Sequence, residues 1–256
     1  MKKILLLLSI ISSFSMADMI LGGEINVGGY SHTPKGTIAF ENEAIDVVDT
    51  LKWENKTDVF ASLYFEHPIP VIPNIKVGVS TLSHDGKGGV DKAFNFGGKE
   101  FRSGFSVTTG IDLNMLDGTL YYEIFDNDLL VFDIGVTAKY IDGNVYINSP
   151  KTVRTDAVEE STDFKGTLPL LYSKLRIGIP TTNIALQVEA NVIAYEENLL
   201  YDVEAGFRYI LFSSMVLGDM GAEVGYKQIK LKIDDIEGFT MDVDFSGVYG
   251  KLVWDF

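Results

Sequence analysis

From Leu130 onward the chain alternates apolar and polar residues with a period of two, over stretches longer than an ordinary globular strand. Leu130, Phe132, Ile134, Val136, Ala138 and Tyr140 stand against Val131, Asp133, Gly135, Thr137 and Lys139. Leu171, Leu175, Ile177 and Ile179 oppose Lys174, Arg176 and Gly178. Ile184, Leu186, Val188, Ala190, Val192 and Ala194 oppose Gln187, Glu189 and Asn191, and Tyr201, Val203, Ala205, Phe207, Tyr209 and Leu211 oppose Asp202, Glu204 and Arg208. Successive residues of a strand point to opposite faces, so each stretch is a strand with one apolar and one polar or charged face. Soluble antiparallel sheets alternate as well. Length separates the two cases: globular strands run to about 5–6 residues, whereas a tilted strand needs about 9–11 to cross a bilayer.

The rest of the chain fits the same scheme. Further strands are expected at Ile20–Tyr30, Asp58–Glu66, Ile75–Leu82, within Phe101–Phe125, from Met220 to about Asp234, and at Met241–Phe256. Tyr140, Tyr201, Tyr209 and Trp254 lie towards strand ends, as in interfacial aromatic girdles. Connections at 67–74, 125–128 and 180–183 are short, while 31–56, 84–98 and 142–165 are long and polar. This predicts an all-β, closed, antiparallel, up-and-down transmembrane β-barrel of ten strands, with eight to twelve compatible with the pattern. An even count returns the last strand to the side where the first began.

Three places break the alternation. Ile111, Leu113 and Met115 are odd-numbered but Leu120, Tyr122 and Ile124 are even, so Asp117-Gly118 is either a bulge in one strand, the preferred reading, or a hairpin turn between two. A similar slip falls near Gln228. In the last strand Met241, Val243 and Phe245 are odd and Val248, Leu252, Trp254 and Phe256 even, which predicts a bulge near Ser246 and Gly247.

That last strand ends on an aromatic residue, and Val248, Leu252, Trp254 and Phe256 form an apolar face of the kind that serves as an outer-membrane insertion signal. At the other end, Lys2 and Lys3, the apolar run from Ile4 to Leu8 and beyond, and the small residues around Ser15 and Ala17 read as a secretory signal peptide, 1–17, leaving 18–256 as a single barrel domain. The apolar run is too short for a spanning helix, which needs about 20 residues. The chain has 25 glycines, 7 prolines and no cysteine, a composition suited to strands and tight turns and without disulfides or thiolate metal sites. Its net charge of −15 argues against nucleic acid as a partner.

Several segments together are similar to a poorly characterised family of proteobacterial outer-membrane β-barrel proteins: EHPIPVIPNIKV from Glu66, GTLYYEIFDNDLLVFDIGVTAKYIDG from Gly118, LPLLYSKLRIGIP from Leu168, LLYDVEAGFRYI from Leu199, and GYKQIKLKIDD with DFSGVYGKLVWDF near the end. The resemblance implies fold and an outer-membrane location in a Gram-negative envelope. It carries no catalytic residue with it.

The polar faces place Glu24, Glu66, Lys76, Asp133, Lys139, Lys174, Arg176, Glu189, Asp202, Glu204, Arg208, Glu223 and Lys227 inside the barrel. In a narrow lumen, charges of both signs are expected to pair and fill the space. The functional expectation is an outer-membrane barrel with a plugged lumen, serving envelope structure or surface interaction, without catalysis, cofactor or metal. Its partners would be outer-membrane lipid and lipopolysaccharide, with the barrel-assembly machinery and periplasmic chaperones during biogenesis, and it would be a monomer. A small-solute channel is the alternative, and a rim hydrolase using His84 the third reading. Ser83 and His84, being neighbours in a strand, point apart and do not meet as nucleophile and base without a bend. The acidic groups at Asp156, Glu159, Glu160 and Asp163, and at Asp234, Asp235, Glu237, Asp242 and Asp244, match no calcium-loop spacing and read as solvated outer loops.

Overall fold

The computed structural model describes residues 22–256 apart from 41–42, 70, 90–93, 97–98, 102–103, 105, 128, 150–156 and 237–238. The expected signal peptide, 1–17, lies outside the described residues. The strands described are β1 (Gly22–Phe40), β2 (Glu43–Asp46), β3 (Lys56–Glu66), β4 (Asn74–Gly89), β5 (Phe94–Phe96), β6 (Lys99–Phe101), β7 (Ser106–Asp126), β8 (Leu130–Ser149), β9 (Val158–Gly178), β10 (Ile184–Tyr195), β11 (Asn198–Ser214), β12 (Gly218–Ile236) and β13 (Phe239–Asp255). β1, β3, β4 and β7 to β13 follow one another around a single antiparallel sheet, and β13 returns to β1 from Glu24↔Asp255 to Phe40↔Phe239. The sheet is thus closed into the ten-stranded up-and-down barrel the alternation predicts, with no free edge along this seam. β2 adds one short strand beside the far end of β1, and β5 and β6 form a separate hairpin.

The two ends of the barrel differ. At one, the turn end, the chain reverses through brief connections such as 127–129, 179–183 and 215–217. At the other, the extended end, strands run far past bilayer length: β7 and β9 have 21 residues each and β8 has 20, against 12 in β10. The polar stretches 31–56, 84–98 and 142–165, expected as long loops, are therefore mostly strand.

The reason they read as loops is that the barrel inverts along its length. Nearer the turn end the outward residues are apolar and exposed, among them Leu63, Val77, Leu120, Val136, Val188, Phe207, Val224 and Leu252, while the inward faces carry charge. Towards the extended end the inward residues are apolar and buried: Ile111, Leu113, Ile141, Val145, Leu231, Val243 and Phe245 belong to one cluster. There the outward faces are polar and pair across neighbouring strands, as in Lys165–Asp142 at 2.9 Å, Asn144–Asp163 at 2.7 Å, Lys230–Asp242 and Gln228–Asp244.

This inversion corrects all three expected irregularities. Asp117 and Gly118 sit in an unbroken ladder, opposite Gly78 and Val77 on one side and Lys139 and Ala138 on the other. They form neither a bulge nor a hairpin turn. Gln228↔Ser246 and Lys227↔Gly247 are consecutive pairs, and Gly247 also faces His32 in register. The backbone keeps its phase; it is the environment on each side that changes. The register shifts that do occur lie at Glu123/Phe125, Ile210/Phe212 and Ile233/Ile236, near strand ends.

Residues 43–55 fold into the extended end as a lid over the apolar interior. Asp46 begins its turn, its carboxylate accepting from the amides of Val48 and Asp49 at 2.8 and 2.6 Å, in the manner of a cap. The turn drives Val47, Leu51 and Trp53 inward, where all three are buried. Gly86 and Gly88 make room for it: a Cβ at Gly86 would lie 2.2 Å from the Lys52 carbonyl oxygen, and one at Gly88 1.9 Å from that of Thr50. Gly86 and Gly88 thus serve close packing.

Candidate functional site

The inward polar residues assemble into a continuous web. Alternation places Glu24, Arg208 and Glu223 on the inner faces of β1, β11 and β12, and the Arg208 guanidinium spans them. Its Nη1 and Nη2 donate to the two Glu24 oxygens at 2.7 and 3.1 Å, and its Nε donates to Glu223 at 3.0 Å. From Glu24 the web continues to Arg176 at 3.4 Å and on to Asp255 at 3.7 Å. From Glu223 it runs through Lys251 at 3.0 Å to Glu204 at 2.5 Å, then Lys227 at 3.5 Å and Asp202 at 2.5 Å. Lys139 closes the series, 3.6 Å from Asp202 and 2.8 Å from Asp117. Every step joins opposite charges. Buried charges are tolerated only with such partners, and a branched web satisfies several lone pairs at once.

Around it are aromatic and neutral groups. Tyr64, Tyr121 and Tyr172 pack with ring centroids 6.2 and 5.8 Å apart. Tyr64 donates to Glu189 at 2.5 Å, and Lys76 pairs with the same carboxylate. Lys174 lies 4.3 Å from the Tyr64 ring centroid and only 4.0 and 3.9 Å from Glu24 and Asp133, so the ring is part of its stabilisation. Thr119, Thr137 and Asn191 form a short relay of hydroxyl and amide bonds at 2.8 and 2.6 Å.

Of the charges expected inside, Glu66 joins through Tyr121, which donates to it at 3.0 Å. Among the described residues, Asp133 touches the web through Lys174 alone, and both its oxygens lack a hydrogen-bond partner. Lys174, Arg176 and Arg208 pair with Glu24, Asp133, Asp255 and Glu223, while Glu189, Asp202 and Glu204 take Lys76, Lys139, Lys227 and Lys251. Asp117, Lys251 and Asp255 are members that sequence reasoning missed, as are Tyr64, Tyr121, Tyr172 and Tyr249, the last donating its hydroxyl to Glu223 at 2.6 Å. Their signal was parity: Asp117, Tyr121, Tyr249 and Lys251 share the odd numbering of buried residues on β7 and β13.

The web leaves little open space. A cup of about 850 Å³ at the turn end is floored by Arg176, Arg208 and Asp255. Beyond it is a cavity of about 50 Å³ among Lys76, Asp117, Glu189, Glu204 and Lys251, room for a few waters.

A second constellation lies where the apolar interior begins. His84 stacks between Trp53 and Phe245, with ring centroids at 6.0 and 5.0 Å and interplanar angles of 2° and 10°. Its Nδ1 donates to the Glu54 carbonyl at 2.8 Å, so its Nε2 accepts from His32 Nδ1, also at 2.8 Å. A proton then remains between His32 Nε2 and Asp58, 3.1 Å apart, as an imidazolium–carboxylate or as a neutral pair. Burial pushes His84 down to about 4. With 1% exposure and both nitrogens engaged, His84 is not placed to act as a base at the rim. Ser83 contacts Asp58 at 3.3 Å and donates its amide to it at 2.8 Å; the hydrogen bonds of His84 go elsewhere. His67 stays within its proline turn, accepting from Ile69 N at 3.2 Å.

The acidic groups are dispersed. Glu160 pairs with Lys99 at 2.7 Å, and Asp163, Asp242 and Asp244 have the outward partners given above. Asp156 and Glu237 lie outside the described residues, as do the side chains of Asp234 and Asp235. At the seam, Val248 and Leu252 face outward and Trp254 donates to the Leu217 carbonyl at 2.6 Å, while Phe256 exchanges two backbone bonds with Gly23 at 2.7 and 2.8 Å.

Solved structures with this architecture include the outer-membrane protease OmpT of Escherichia coli, with a TM-score of 0.54 at 10% identity, covering 93% of this chain and 97% of that one. The fold is that of an outer-membrane β-barrel. More distant are the transport unit of the autotransporter AIDA-I from Escherichia coli, at a TM-score of 0.40 and 8% identity over 94% and 97% of the two chains, and the attachment invasion locus protein Ail of Yersinia pestis, at 0.36 and 8% over 92% and 100%. No family model and no curated protein matches the chain. The likeness to OmpT corrects one expectation. This ten-stranded fold is, in that protein, the fold of a protease, so a non-catalytic role does not follow from the barrel architecture.

Proposed function

We propose that the chain is an outer-membrane barrel of a Gram-negative envelope, closed to solutes, that carries its extended end above the outer leaflet as a rigid surface structure. The observation that carries this reading is the ion-pair web from Asp255 to Asp117, which crosses the lumen and narrows it beyond the cup to a cavity of about 50 Å³ among its own charged side chains. The apolar belt would contact lipid, and the paired polar groups of the extended end would face lipopolysaccharide and external partners. Val248, Leu252, Trp254 and Phe256 would be read by the assembly machinery and periplasmic chaperones during insertion. The resemblance noted among the sequence segments supports the same location, and the closed seam supports a monomer. Planar-bilayer recording tests the reading. Silence at all voltages is expected, and steady nanosiemens-scale openings of the unmodified protein would replace it with the small-solute channel.

A further inference from the structure

The barrel wall is notched between β9 and β10. Their pairing runs from Ala185↔Gly178 to Val192↔Leu171 and stops. β9 continues to Val158 with β8 on its other side, whereas β10 ends at Tyr195 and turns back into β11. Above Leu171, among the described residues, no strand pairs with that edge of β9; only the β5–β6 hairpin approaches β9 there, near its far end, where Lys99 donates to the Glu159 carbonyl at 2.7 Å.

Behind the notch lies a cavity of about 350 Å³. Its walls are Phe164 and Leu168 of β9, Ile193 of β10, Leu231 and Ile233 of β12, and Met241 of β13. Phe164, Leu168, Ile193 and Ile233 are four of the six partly buried residues packed against the apolar interior, so the notch is where much of that interior is left open. Apolar cavities of this kind stay dry and take apolar guests. The volume is near the lower end of the roughly 300–1,000 Å³ of ligand pockets, which favours one chain over two. The walls are mainly aliphatic, and the polar residues lining the cavity, Tyr195, Asn198 and Lys232, cluster about the β10–β11 turn and the β12 strand beside it. Lys232 lies on the outward side of β12 and has no ion pair among the described residues; Asp242, opposite it, is held by Lys230. Leu171, 71% exposed, marks the apolar belt immediately below the notch, so a hydrocarbon tail can enter without crossing water.

We infer that this cavity binds a free fatty acid, its alkyl chain among Leu168, Ile193, Leu231 and Ile233 and its carboxylate towards Lys232. The inference rests on the membrane placement proposed above and is independent of the closed lumen.

The test uses the full protein in phospholipid vesicles, photolysed either with a diazirine-bearing dodecanoic acid or with a phospholipid carrying the same diazirine in one acyl chain, followed by peptide mapping. The fatty acid should label the segments 164–168, 193–200 and 231–233. Filling the cavity by Leu168→Trp or Ile193→Trp, in whichever variants migrate as folded barrels before boiling, should reduce that label to the unphotolysed background, and Lys232→Gln should weaken it. The phospholipid should label only the belt. Fatty-acid label confined to the belt, or cavity label unchanged in the filled variants, overturns the inference. So does phospholipid label in the cavity as strong as that of the free acid, which would assign the site to bilayer lipid. If neither probe marks the belt, the membrane placement falls and this inference with it.

Discussion

Arg208 shows what a single residue does in this barrel. It is 2% exposed and holds Glu24 and Glu223 together at the floor of the turn-end cup. Removing one partner of a buried ion pair leaves the other uncompensated, at a cost of about 3–5 kcal/mol, whereas an apolar replacement of the whole group is far milder. Arg208→Ala is accordingly expected to lower stability by roughly that amount in urea unfolding from vesicles, and the triple change Arg208→Met, Glu24→Leu, Glu223→Leu to recover much of it. His84 gives a pH dependence with a definite sign. Held near 4 in the folded protein against about 6.5 in an unfolded chain, it binds its proton more readily when unfolded. Its contribution is complete above pH ~6.5 and is lost as the pH falls towards 4, by up to roughly 3 kcal/mol. Denaturant midpoints measured at pH 7.5 and 4.5 should differ in that direction, and His84→Phe should narrow the gap; a midpoint that rises on acidification would contradict the assignment.

Among the elements, the inward-folded segment 43–55 is the most sensitive to its neighbours. Gly88→Val places side-chain atoms where the Thr50 carbonyl lies, so the segment must lift. Trp53, buried and donating its Nε1 proton to Thr109 at 2.9 Å, would then meet water, which a red-shifted emission and new protease cleavage within 43–55 would report. Unchanged emission would place the segment's anchoring elsewhere. This segment also marks the limit of what the sequence discloses. β8, β10 and β11 were plain from alternation because, for most of their length, one face is apolar and exposed and the other lines a polar lumen. β7, β12 and β13 looked broken because Leu113, Ile229 and Val243 are apolar and inward, while Leu120, Val224 and Leu252 are apolar and outward. A reading that assigns apolar residues to one side throughout must invent a bulge at the crossover. The charge web was legible as a set of inward residues, but its pairings depend on which strands face each other across the lumen, and Lys251 was hidden between the apolar residues of the last strand. The His84–His32–Asp58 relay joins β4, β1 and β3 through side chains far apart in sequence, with no local motif to reveal it.

The whole molecule is a barrel of two unlike halves. One half has an apolar coat around a charged web; the other has a polar coat around an apolar interior, closed by residues 43–55. The notch between β9 and β10 sits at the junction, where the coat changes. Such a design separates what anchors the barrel from what it presents, and the same scaffold serves a protease in OmpT. The junction itself is the claim on which the rest depends, and the chain has no cysteine, so single cysteines report it cleanly. Placed one at a time along the outward side of β8 in vesicles, at Ile134, Val136, Ala138, Asp142, Asn144 and Asn148, they should divide sharply. A water-soluble maleimide is expected to modify the cysteines at Asp142, Asn144 and Asn148 and to leave those at Ile134, Val136 and Ala138 untouched. Uniform modification from Ile134 to Asn148, or protection extending through Asn148, would contradict the inversion.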